Sequence, residues 1–94
     1  MPGQGAASSY NLSDDGTLSA ISSSVKNGET DSCWIAISND GRYVYESNFI
    51  SHSISSYTMS TNGAIGLLKG VAADTGDNTQ AEDLGISADG KTLW

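Results

Sequence analysis

The sequence predicts an all-β protein, a β-propeller segment of two four-stranded blade equivalents. Three observations carry this. Asp15-Gly16, Asp40-Gly41, Asn62-Gly63 and Asp89-Gly90 separate short apolar runs, two internal echoes recur at nearly one spacing, and no stretch holds a helical period. The first echo joins Ser8-Ser9-Tyr10 to Ser55-Ser56-Tyr57, Gly16 to Gly63 and Leu18 to Ile65. The second joins Ile35-Ala36-Ile37-Ser38-Asn39-Asp40-Gly41 to Leu84-Gly85-Ile86-Ser87-Ala88-Asp89-Gly90.

Blade strands are lettered A to D from the propeller axis outward, so the chain reads C-D, A-B-C-D, A-B. Residues 1–7 form a flexible lead-in. Residues 8–31 give a half blade: Ser8 to Ser13 runs out, Asp15-Gly16 turns, and Thr17 to Ile21 returns. Residues 32–73 give the complete blade. Ile35 and Ile37 mark its first strand, Tyr43 to Tyr45 the second, Ile54 and Tyr57 the third, and Ile65, Leu67 and Leu68 the fourth. Residues 80–94 give a second half blade. Asp-Gly and Asn-Gly suit two-residue hairpin turns, whose central residues need positive φ. The strand from Cys33 to Ser38 and that from Arg42 to Glu46 are read as apolar on both faces, as stacked blades require.

Composition bounds the function. A net charge of −7 with four basic residues, Lys26, Arg42, Lys69 and Lys91, offers no surface for a phosphate backbone, so no nucleic-acid partner is expected. No apolar run reaches membrane-spanning length, so no membrane partner is expected either. One cysteine, Cys33, makes neither an internal disulfide nor a cysteine zinc site. Asp74, Asp77 and Asp83 lack the spacing and glycine of a calcium loop, so no metal or other cofactor is expected.

Because strand direction alternates, the connections sort onto two ends of the sheet. One end collects the four Gly turns. The other collects longer loops carrying His52, Glu29, Asp31 and the stretch from Asp74 to Asp83. The candidate catalytic residues are there: His52, the one side chain that titrates near neutrality, with Asp31, Glu82 and Asp83 as carboxylates near the channel mouth.

The run from Cys33 to Tyr45, then Asn48, then Ile54 to Tyr57 with Asn62-Gly63, resembles the lactonase-type seven-bladed propellers. These include 6-phosphogluconolactonases and carboxymuconate-cyclase-like enzymes. The resemblance spans about two blades' worth, from residue 8 to 94. It implies a parent activity of lactone hydrolysis or cyclisation on a sugar or organic acid, with the site built across several blades and the isolated chain not itself catalytic. The alternative is a non-catalytic binding or scaffold propeller assembled from several identical chains. For partners, self-association into a trimeric or tetrameric ring is expected, with a small sugar or organic-acid ligand.

A far-ultraviolet circular dichroism spectrum should accordingly show strand and turn with little helix. A helix-dominated spectrum would contradict the propeller reading.

Overall fold

Six antiparallel strands account for the regular structure of the computed structural model, which describes residues 3–94. β1 (Ala6–Leu12) and β2 (Leu18–Lys26) form a two-stranded sheet. β3 (Ser32–Ile37), β4 (Tyr43–Asn48), β5 (Ser53–Met59) and β6 (Ile65–Asp74) form a four-stranded meander in that order. This is the architecture of propeller blades, as the sequence predicts.

The echoes are structural repeats down to the register. Tyr10 opposes Ala20 and Leu12 opposes Leu18, while Tyr57 opposes Leu67 and Met59 opposes Ile65. Each pair carries over by the same 47-residue shift that relates Tyr10 to Tyr57. Both hairpins carry bulges at matching places, between Ala7 and Tyr10 and between Ile54 and Tyr57. At the other end of the chain the Ile86↔Leu93 bridge repeats the Ile37↔Val44 pair.

Three sequence expectations are corrected. β1 begins at Ala6 and buries Ala7, so the expected lead-in ends sooner; Met1 and Pro2 lie outside the described residues. Ala7 packs with Val44 and Tyr57, with Val25, Met59 and Ile65 around them, and that contact draws the segment into the sheet. The second half blade is a hairpin closed by bonds between Gly85 and Trp94 and by Ser87 N–H to Thr92 carbonyl, with one bridge rather than two strands. A two-stranded ribbon with no third strand beside it is marginal. Finally, β3 is not buried on both faces: it is a sheet edge, and Trp34 and Ile37 are each 52% exposed.

The turns are longer than two residues. Ser13 and Ser60 each accept from a Gly three residues on, and their own N–H groups bond Thr17 and Ala64, enclosing three residues. Ser38 and Ser87 do the same across four residues, to Tyr43 and Thr92. Gly16, Gly41, Gly63 and Gly90 all sit at φ between 72° and 87°, the left-handed position that follows a type I turn. The residue before each Gly supplies the second lock. Oδ1 of Asp15, Asp40, Asn62 and Asp89 accepts the backbone N–H two residues later, from Thr17, Arg42, Ala64 and Lys91.

Those bonds hold three carboxyls below the usual carboxylate range. The hydroxyl of Thr17 on Asp15, of Ser38 on Asp40 and of Ser87 on Asp89 is the largest cause, followed by the backbone N–H. A lowered folded-state value means that the folded protein binds fewer protons than the unfolded chain. The stabilisation is therefore complete above about pH 4 and is lost as pH falls through the lowered values. Asn62 makes the equivalent backbone bond without titrating. Replacing Asp15, Asp40 and Asp89 together by Asn should flatten the acid side of a thermal-midpoint profile while leaving the neutral side unchanged.

Candidate functional site

β4 and β5 turn one face toward the β1–β2 sheet. Val44 opposes Tyr57, Glu46 opposes Ser55 and Asn48 opposes Ser53, so these six side chains line it together. Its half toward the Gly turns is apolar, formed by Val44 and Tyr57 against Ala7. Its other half is polar and equally buried: Glu46 is 3% exposed, and Asn48 and Ser55 not at all. The reading of the second strand as apolar on both faces is thus corrected, because Glu46 lies in the core.

The burial is tolerable because the donors are arranged around the acceptors. One carboxylate oxygen of Glu46 accepts from Tyr57 Oη at 3.0 Å and from Asn27 Nδ2 at 2.7 Å. Asn27 is held the right way round because its own Oδ1 accepts from the Glu29 N–H at 2.7 Å. Ser32 Oγ donates to Asn48 Oδ1 at 3.0 Å, and Asn48 Nδ2 donates to Ser55 Oγ at 2.9 Å and Ser53 Oγ at 3.2 Å. The chain ends on acceptors: Ser55 donates to the Gly70 carbonyl at 2.6 Å and Ser53 to the Glu29 carboxylate. Asn27 fits only because two neighbours lack side chains. A Cβ on Gly5 would stand 2.6 Å from Asn27 Oδ1, and one on Gly70 would stand 2.7 Å from the Asn27 carbonyl. Burial first, then the Glu46 charge, pushes the Tyr57 phenol well above its ordinary value, so it remains a donor throughout the physiological range.

This cluster anchors the loop end of the sheet. Beside it, Thr30 N–H donates to Ser51 Oγ at 2.7 Å and Phe49 N–H to the Asp31 carbonyl at 2.9 Å. Thr75 N–H donates to the His52 carbonyl at 2.8 Å. The loops after β2, β4 and β6 therefore meet, carrying Asp31 and His52. Both sit in the left-handed region, Asp31 at φ 62° and His52 at φ 53°, a conformation uncommon outside glycine and found most often at functional or tightly packed loops. Asp31, Thr30, Ser32, Lys26 and Ile50 line an open depression of about 500 Å³.

His52 points its Nδ1 at the Thr79 carbonyl. A carbonyl only accepts, so Nδ1 is the donor in that contact. Glu82 enters through its backbone, whose carbonyl accepts from Ser47 Oγ at 3.3 Å. The carboxylate of Asp83 accepts the Leu84 N–H at 2.8 Å. The structure brings Asp31 and His52 to one loop cluster. Glu82 and Asp83 lie outside it, beside the C-terminal hairpin, and none of the four hydrogen-bonds another. Among the described residues no three His, Cys, Asp or Glu side chains are grouped closely enough to share a metal ion. Arg42 follows a Gly turn at the opposite end, its guanidinium 6.0 Å from the Tyr43 ring centre.

Sequence reasoning missed the buried cluster. The available signal was alternation: Glu46 and Asn48 follow Val44 at two-residue steps, as Ser53 and Ser55 precede Tyr57.

The family model described as Lactonase, 7-bladed beta-propeller matches residues 2–90. No curated protein and no solved structure gives a match.

Replacing Tyr57 by Phe should destabilise the fold by about 2 kcal/mol, the loss expected for a buried hydrogen bond to a carboxylate. The same change at Tyr10, its exposed repeat equivalent, should have almost no effect. Urea unfolding of the two variants measures the contrast.

Proposed function

The chain belongs to the lactonase family of seven-bladed β-propellers, and from that premise we propose that it contributes one sector of a ligand-binding face for a small sugar-acid or organic-acid lactone. The supporting observation is the depression that holds Lys26, Thr30, Asp31 and Ser32 at the loop end, beside the start of inner strand β3. Its chemistry suits such a ligand. An ammonium attracts a carboxylate or phosphate substituent, hydroxyls bond ring hydroxyls, and a carboxylate accepts a proton.

Lactone hydrolysis needs water to attack the ring carbonyl, a base to take the water proton, and a donor for the ring oxygen as it leaves. In this reading the Asp31 carboxylate on the depression, or the His52 imidazole on the adjoining loop, takes that proton. Stabilising the tetrahedral oxyanion takes further donors converging on one point, and in this reading other blades supply them. The isolated chain should bind without turnover. The second reading is a propeller that only binds; it is favoured by the lack of any hydrogen bond among Asp31, His52, Glu82 and Asp83.

Titrating gluconate into the ¹⁵N-labelled chain tests the placement. Amide shifts should concentrate at Lys26, Thr30, Asp31 and His52, and should weaken several-fold on replacing Asp31 and His52 by Ala with the fold retained. Shifts centred on Gly16, Gly41, Gly63 and Gly90 would overturn it. Hydrolysis of glucono-δ-lactone by the chain at the buffer rate is the expected control; a rate well above it would show that one sector suffices.

A further inference from the structure

His52 ties one loop at two points. Its carbonyl accepts the Thr75 N–H at 2.8 Å, and its ring Nδ1 donates to the Thr79 carbonyl. Between those points the loop bonds only itself and Asp74 at its root. The Gly76 N–H donates to Asp74 Oδ1 at 2.7 Å, and the Thr79 hydroxyl lies 2.7 Å from the Gly76 carbonyl and 2.8 Å from Thr75 Oγ1. Among the described residues, no other hydrogen bond joins residues 75–79 to the loops beside them.

The preceding blade meets the same need with a different group. Gly5 corresponds to His52 by the 47-residue shift, and its carbonyl likewise accepts from the first residue of the loop, the Asn27 N–H at 3.0 Å. Each loop then turns on a glycine of positive φ, Gly28 at 78° and Gly76 at 98°. In the earlier loop the second tie is the Gly5 N–H, which donates to the Glu29 carbonyl at 2.8 Å. No side chain fits there, because a Cβ on Gly5 would stand 2.5 Å from Ser32 Oγ and 2.9 Å from the Glu29 carbonyl. Asn27 adds its amide, bonded to Glu46 and Asn48 in the core, whereas its counterpart Thr75 meets only the Thr79 hydroxyl. The loop without a core anchor is the one that a histidine ring holds.

We infer that His52 is a positioning residue, the latch of the loop 75–79, and that Asp31 is the group that meets the ligand. The second half of this inference rests on the lactone reading above. Asp31 lines the depression with Lys26 and Thr30, and His52 does not. The ring of His52 is engaged instead on the loop that follows β6.

Two readouts test the latch without any ligand, so its failure and that of the lactone reading are separable. Above the ordinary imidazole range, at about pH 8, the ring ¹⁵N shifts of His52 should report the Nδ1–H tautomer. Asn and Asp at position 52 place a donor or an acceptor where Nδ1 stands, and both enter the left-handed region that His52 occupies at φ 53°. Backbone ¹⁵N order parameters of residues 76–79 should stay at about 0.85 in the unaltered chain and in His52→Asn, and fall below about 0.6 in His52→Asp. An Nε2–H tautomer, or a loop equally ordered in both variants, overturns the latch. Asp31→Ala alone should weaken gluconate binding as much as replacing Asp31 and His52 together by Ala. A further loss in the double variant would sink the division of roles. An unaltered chain without gluconate shifts ends the lactone reading and the Asp31 half with it, and leaves the latch to be judged on the ring and the loop.

Discussion

A twisted sheet in a stacked fold must cover both faces, and the β3–β6 sheet covers each in a different way. On one face the β1–β2 sheet is held by an apolar patch, Ala7 against Val44 and Tyr57, and by the Glu46 cluster. On the other, the C-terminal hairpin lies across Tyr45 and is tied by Asn39 and Ser47 to backbone carbonyls. Apolar contact supplies adhesion but little registration, since it tolerates sliding. A carboxylate with two fixed donors does not tolerate it, because a shift of one residue leaves a charge in the interior without partners. The polar half of the junction thus sets how one sheet lies on the next, and it also fixes the loops after β2 and β4, which leave from its rim.

How much of this was legible in the sequence depends on whether a feature is local. The Gly turns and repeats are written in neighbouring residues, so strand order and pairing could be read directly. Turn length could not, because it depends on the Ser and Asp side chains bonding the backbone around each Gly. The limits of β2 were obscured by Ser22-Ser23-Ser24, which have weak strand preference; Ser22 pairs with Ser9 and the Ser24 N–H donates to Ser8 Oγ across the bulge. Glu46 was the largest miss. A carboxylate in a strand ordinarily marks the wet face, and only Asn27 and Tyr57, distant in sequence, reverse that.

The candidate site divides along the same line. Asp31 and His52 share one end because strand direction alone decides which loops do. That Glu82 and Asp83 stand apart follows from the weak pairing of residues 80–94, which leaves the lead into that hairpin without a strand to aim it. The role of Asn27, which joins the core to the loop carrying Glu29, depends on room left by Gly5 and Gly70, and an absence of atoms is hard to read from residue types.

The turn module bears on how the chain reaches its native state. Each Ser-to-Gly turn closes over three or four residues with its own side-chain bonds, so the hairpins built on it can form in microseconds from purely local contacts. Glu46 meets Tyr57 within its own hairpin, but the bonds from Asn27 to Glu46 and Asn48, 19 and 21 positions away, form only when two finished hairpins meet. The contacts thus divide into local ones within each ribbon and non-local ones that need two ribbons docked. A chain with its hairpins formed but Glu46 not yet joined to Asn27 would hold its strands and still lack a fixed angle between its sheets.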